Sequence, residues 1–164
     1  MPSTYEPIAT TTLSSSAADI TFSSIASSWT DLRLIIVAQS TSADSLISMT
    51  YNNDATGNYS QRRISGNGSS VLTGGNNNNG QINLSAFASV AASPNFSMYT
   101  VDIFSYAGST FKTCLITSSA DKNGSGAVDY MVGLYRSTSA ISTVKIFNSF
   151  AAGTTATLYG IKNA

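Results

Sequence analysis

Phe96-Ser97-Met98-Tyr99-Thr100-Val101-Asp102-Ile103-Phe104-Ser105-Tyr106 is the stretch that decides the fold. Read with a period of two, Tyr99, Val101 and Ile103 fall on one side and Thr100 and Asp102 on the other. That is the alternation of a strand lying between a core and solvent. The same alternation recurs in Asp19–Ile25, where Ile20 and Phe22 face away from Asp19 and Thr21. Further β-rich runs cover Tyr5–Leu13, Asp31–Ser40, Ser45–Tyr51, Tyr59–Ser65, Gln81–Phe87, Thr110–Thr117, Val128–Arg136, Ile141–Phe147 and Thr154–Ile161. Short runs at such spacing, with turn residues between them, predict an all-β sandwich or barrel in a single domain. Leu34–Val37 is apolar in both phases and predicts a central strand covered on both faces.

The connections carry their own chemistry. Asn52–Gly57, Asp121–Gly126 and Ala151–Gly153 supply residues that tolerate positive φ or bond their own backbone, and predict turns. Asp31 and Asp129, at the entry to strand runs, are expected to bond backbone amides. Ala86–Ala92 allows a helical turn or two, and no long amphipathic helical stripe exists elsewhere. Gly66–Gly80 reads Gly-Asn-Gly-Ser-Ser-Val-Leu-Thr-Gly-Gly-Asn-Asn-Asn-Asn-Gly, with Val71 and Leu72 its only core-forming residues. It predicts a long surface loop, either mobile or in contact with a partner.

Composition argues against catalysis. The chain has no histidine, one cysteine and only eight acids and eight bases, against 29 Ser, 19 Thr and 13 Asn. Most enzymes place proton transfer or nucleophilic attack on side chains that are scarce here. Cys114 sits in a strand-like run and reads as a small buried apolar residue. Asp121-Lys122-Asn123-Gly124-Ser125 resembles the start of a calcium loop, but Glu6 is the chain's single Glu, so none completes it. The Gly/Asn segment lacks the Gly-Lys-Ser/Thr of a phosphate loop. The acids are scattered singly, and a pair such as Asp102 with Asp129 could act as a glycosidase dyad if the fold joined them, though nothing singles these two out. No metal, cofactor or catalytic activity is expected.

Partners are bounded in the same way. Zero formal net charge does not fit a nucleic-acid binder, which needs a basic excess for phosphates. Leu34–Ala38, the longest aliphatic run, is too short to cross a bilayer, and no membrane partner is expected. Met1–Glu6 lacks the basic start and apolar stretch of a signal peptide, so synthesis in a cytoplasm is expected. Neutrality also gives little protection against self-association, which suits a protein held in an assembly. Candidate partner contacts are Arg62 and Arg63, which as consecutive strand residues face opposite ways, and the run Asn76, Asn77, Asn78 and Asn79. A third group is the segment Met1–Pro7, with Pro2 and Tyr5, read as an extended arm before a sandwich domain at residues 8–164 and able to add to a neighbouring sheet edge.

Three sets of stretches resemble one family. They are Ile8–Leu13 with Asp19–Ile25 and Trp29–Leu34; Asn58-Tyr59-Ser60 leading into Ser65-Gly66-Asn67-Gly68; and Gly133-Leu134-Tyr135, Ala140-Ile141, Phe150–Thr154 and Leu158–Lys162. Together they resemble the small virion structural proteins of tailed bacteriophages, many from phages of aquatic bacteria including cyanobacteria. The resemblance implies a jelly-roll-like antiparallel β-sandwich on the virion, made in the host cytoplasm. It implies either a head decoration (cement) protein, bound as a trimer to the major capsid protein, or a tail-fibre or tail-tip module that binds host surface glycan through Gly66–Gly80 and exposed Tyr or Trp29. With about seven residues before the first strand and no fibre shaft among them, the expectation falls on the cement protein.

Overall fold

The computed structural model describes residues 5–42 and 45–162. Its strands, in chain order, are β1 (Tyr5–Thr12), β2 (Ala17–Phe22), β3 (Asp31–Ala38), β4 (Ser48–Tyr51), β5 (Tyr59–Gly66) and β6 (Val71–Asn79). The second half adds β7 (Ile82–Asn83), β8 (Ser97–Phe104), β9 (Lys112–Asp121), β10 (Gly126–Tyr135), β11 (Val144–Phe150) and β12 (Thr155–Ile161). They form an eight-stranded sheet in the order β1-β12-β3-β8-β9-β10-β5-β6 and a four-stranded sheet in the order β2-β11-β4-β7. All the ladders are antiparallel.

Setting aside the inserted strands β5, β6, β9 and β10 leaves two facing four-stranded sheets, β1-β12-β3-β8 and β2-β11-β4-β7. Their eight strands have the double Greek-key connectivity of a jelly roll. The inserted strands continue the larger sheet past the smaller one as a wing, β9-β10-β5-β6. The protein is therefore an all-β jelly-roll sandwich whose larger sheet is extended at one end.

Period-two patterning puts the core between the sheets. Leu32, Leu34, Ile36, Tyr99, Val101, Ile103 and Leu158 from the larger sheet meet Ile20, Phe22, Met49, Val144 and Ile146 from the smaller one, all buried. Each such aliphatic side chain contributes roughly 1.5–3 kcal/mol by leaving water. Cys114 lies in this core, and burial pushes its thiol up to about 11, so it stays a protonated apolar filler. Beneath the wing, Tyr51 of β4 and Ile82 of β7 pack on Tyr59, Gly133 and Tyr135 at one end of β5 and β10, and the segment 84–92 supplies cover at the other end through Leu84, Ala88 and Val90. Tyr99 Oη donates to Ala88 O at 2.9 Å and Ser97 Oγ accepts from Ala91 N at 2.9 Å. That segment is irregular rather than helical, since its amides bond Asp129, Ser97 and the backbone of Ile47 and Ser45 instead of each other.

Several expectations need correction. Gly66–Gly80 is not a long loop: Asn67 tightens a short turn by accepting from Ser69 N and Ser70 N, and Val71–Asn79 returns as β6 along β5. Glycine and asparagine weaken a strand's side-chain packing but leave its backbone donors and acceptors intact, and the β5 ladder engages them. The boundary read at residue 8 falls inside β1, because Tyr5, Glu6 and Pro7 already pair with Ile161, Gly160 and Tyr159. Hence Tyr5–Pro7 is sheet rather than free arm. Pro2 lies outside the described residues. Finally, β3 is covered on one face only: Val37 is exposed and Ile35 half-buried. The 121–126 turn is borne out, with Asn123 at φ 56° and Gly124 at φ 107° and Lys122 N bonded to Ser125 O at 2.8 Å.

Candidate functional site

The register makes the outer face of the larger sheet a set of continuous rows. One row runs Thr12, Thr155, Val37, Met98, Ser119, Val128, Gly66, Val71 from β1 to β6. The next runs Thr10, Thr157, Ile35, Thr100, Thr117, Tyr130, Ile64, Thr73. At the β1 end the rows are hydroxyls bonded to one another, with Thr10 and Thr157 Oγ1 atoms 3.0 Å apart. At the wing end they become apolar. Val71 is 69% exposed, Val128 61%, Tyr130 53% and Met98 52%. β9 contributes only Thr117 and Ser119 between taller neighbours, so these side chains wall a groove of about 540 Å³. A shallower depression of about 720 Å³ continues it past Met98 towards Phe96 and the 124–126 turn.

The wing is held in place from its inner face by Asp129. Its carboxylate, 3% exposed, accepts from Ala86 N at 2.7 Å, Phe87 N at 3.1 Å and Ala88 N at 3.0 Å, and from Ser118 Oγ at 3.2 Å. Burial alone would push this carboxyl up, but the amide donors outweigh it and hold it below its ordinary value. Asp31 plays a lighter version of the same part, accepting from Ser105 N at 2.7 Å.

The predicted contact residues divide between the two ends of the sheet. Arg62 points outward beside β6, donating to Gln61 O at 2.8 Å, Asn76 O at 3.3 Å and Asn77 Oδ1 at 3.0 Å. Arg63 turns to the opposite face against Gly74. Asn78 Oδ1 accepts from Arg136 Nη2 at 2.7 Å, and Asn79 pairs with Tyr59. The asparagine run is thus β-structure tied to arginines. Tyr5 is far from it, stacked on Tyr159 at 4.6 Å at the other edge of the sheet, with Arg33 over its ring at 5.9 Å.

Asp102 and Asp129 do not meet. Asp102 lies on the outer face, clamped to Arg33 at 2.5 and 2.9 Å, while Asp129 faces inward. Among the described residues no three His, Cys, Asp or Glu gather in a metal-holding group. Trp29 is half-buried against Gly160, with Lys162 Nζ 5.0 Å above its ring.

Ile64, Val71, Met98, Val128, Tyr130 and Val132, the apolar residues of the face, were not among the sequence candidates. A cue existed in Gly126–Tyr135, where Val128, Tyr130 and Val132 alternate with buried Met131 and Tyr135, so both phases are apolar. What a sequence leaves open in such a strand is whether the second face is covered within the chain.

No family model matches the chain, and no curated protein matches it. Among solved structures, the galectin LEC-6 of Caenorhabditis elegans is similar over 90% of this chain and 94% of its own, at 14% identity and a TM-score of 0.37. A likeness at that score carries no argument about ligand or descent.

Proposed function

We propose that the protein is a structural component of a tailed-phage virion, without catalytic activity. Its place is the outer surface of the head, where it acts as a decoration (cement) protein that binds the major capsid protein and its own copies as a homotrimer. The family resemblance supplies the setting. The observation that carries the reading is the outer face of the wing, which is apolar and open to solvent, with Arg62 at its margin, on an otherwise hydroxyl-rich sheet. Monomeric soluble proteins rarely leave a contiguous apolar patch larger than a few hundred Å² without a partner for it. Cementing needs such a surface and no reactive group. Many copies, each with a standard-sized contact, would stabilise a shell by avidity and mass action.

The glycan-binding alternative drew on a Gly66–Gly80 loop and on an exposed Tyr or Trp29; the loop is a strand and Trp29 is packed against Gly160, which leaves that reading the exposed Tyr5 and Tyr130. The test is a virion lacking this protein. Its heads are expected to lose DNA at a lower temperature than wild type while still adsorbing to cells; normal heads that fail to adsorb would overturn the proposal.

A further inference from the structure

We infer that the outer face of the wing, together with the β6 edge, is covered by the wing of a second copy of this chain. The inference rests on reading the wing as a contact surface and names its occupant.

Three features point to a copy rather than to an unlike partner. The first is area. Ile64, Val71, Met98, Val128, Tyr130 and Val132 expose on the order of 600 Å² of side chain, close to the roughly 800 Å² that one partner gives to a standard interface.

The second is charge. These six side chains are uncharged, and Arg62 at their margin already directs its guanidinium at Gln61 O, Asn76 O and Asn77 Oδ1. Such a face meets its own copy without repulsion, and charge-poor, apolar contacts are the mark of interfaces between identical subunits. An unlike partner would more often be selected by complementary charge.

The third is the edge itself. β6 is the last strand of its sheet, and its stretch Val71–Asn76, ahead of a bulge near Asn78, contains no Lys, Arg, Asp, Glu or Pro. Monomeric proteins blunt such edges with charge, proline or a bulge. The opposite edge of the same sheet is blunted in that way, by Glu6, Pro7 and a bulge between Pro7 and Ala9. A neighbouring wing packed over this face would shield both the apolar rows and the open edge.

Sedimentation equilibrium of the purified full chain at micromolar concentrations tests this. The wild type is expected to exceed one-chain mass. Val71→Asp and Val128→Asp, at the two most exposed positions, should weaken association by about a hundredfold or more, since each buries an unpaired charge. Thr10→Asp, on the same face at the far end, should leave association unchanged. Because an aspartate could also disturb folding, amide exchange of the wild type gives a second reading: the β6 amides should slow as concentration rises. A single-chain mass at every concentration, association that survives both aspartates in folded protein, or slowing at β1 instead of β6 would overturn the inference. A two-chain mass would support it and remove the trimer. A chain that self-associates through the wing yet is absent from phage heads would sink only the virion reading, and a monomer found on heads would sink only this one.

Discussion

The larger sheet has two ends built on one continuous ladder, and they treat water differently. At the β1 end, Thr10 and Thr157, Thr12 and Thr155, and Arg33 and Asp102 pair across strands, so these outward polar groups have partners within the chain. At the β6 end the outward residues are Val71, Ile64, Tyr130 and Val128, and the margin is open. The inner faces differ as well. A second sheet backs the jelly-roll end, whereas under the wing it covers only one end of β5 and β10, and an irregular segment with three amides converging on one carboxylate covers the other. One end pairs these outward polar groups within the chain; the other is held from behind and leaves apolar rows exposed in front.

The largest effect is expected where the wing is held. Asp129→Ala would leave the buried amide of Ala88 and the part-buried amides of Ala86 and Phe87 without acceptors. At about 1–3 kcal/mol for each orphaned group, the loss should reach about 3 kcal/mol or more. Denaturant unfolding measures the total, and faster amide exchange confined to β5, β6 and β10 would localise it; equal acceleration in β1 and β12 would dissolve the distinction between the two ends. Acid probes the same asymmetry. Asp54, at the entry to β5, is lowered to about 2, chiefly by its hydrogen bonds with Asn58 and Thr56. Asp129 is also depressed. A carboxylate depressed in the folded state contributes stability that is present above its unfolded pKa, near 4, and lost as pH falls through the folded value. Stability should therefore decline between about pH 4 and pH 2, with β5 and β10 loosening first.

A smaller loss is expected at the jelly-roll end from Gly160→Ala. An added Cβ would lie 2.2 Å from the Trp29 ring, so the indole must move, at a cost of roughly 1–3 kcal/mol. Trp29 is the sole tryptophan, and a red shift of its fluorescence would report its displacement. The smallest effect belongs to Arg33→Ala. Its pair with Asp102 is solvent-accessible on both sides, and such pairs contribute at most about 1 kcal/mol. A melting temperature shifted by as much as Asp129→Ala shifts it would show that the outer polar rows matter more than their exposure suggests.

The strand runs were legible because burial on one face writes a period of two into the residues. Ser97–Phe104 and Ala17–Phe22 carry it plainly, and eleven of the twelve strands coincide with runs read from the chain. β6 was hidden because its residues, Gly74, Gly75 and four asparagines, have no side-chain periodicity; it is a strand through its backbone bonds to β5. The contact residues were half legible. Arg62 and the Asn76–Asn79 run do lie on the wing, but as partners of one another. The apolar rows across β8, β10, β5 and β6 exist only once four distant segments are in register.

From the sequence alone come the all-β class, the turns at Asn123-Gly124 and near Gly153, the burial of Cys114 and the poverty of reactive groups. Each depends on residue type or on neighbours a few positions away. Tertiary structure alone decided that β5, β6, β9 and β10 extend one sheet beyond the other, that Asp102 and Asp129 face opposite ways, and that both-phase apolar strands end with one face bare. Those outcomes depend on which strands are neighbours and how many layers cover them. Alternation records which side of a strand is apolar, but not whether anything in the chain reaches over to cover it.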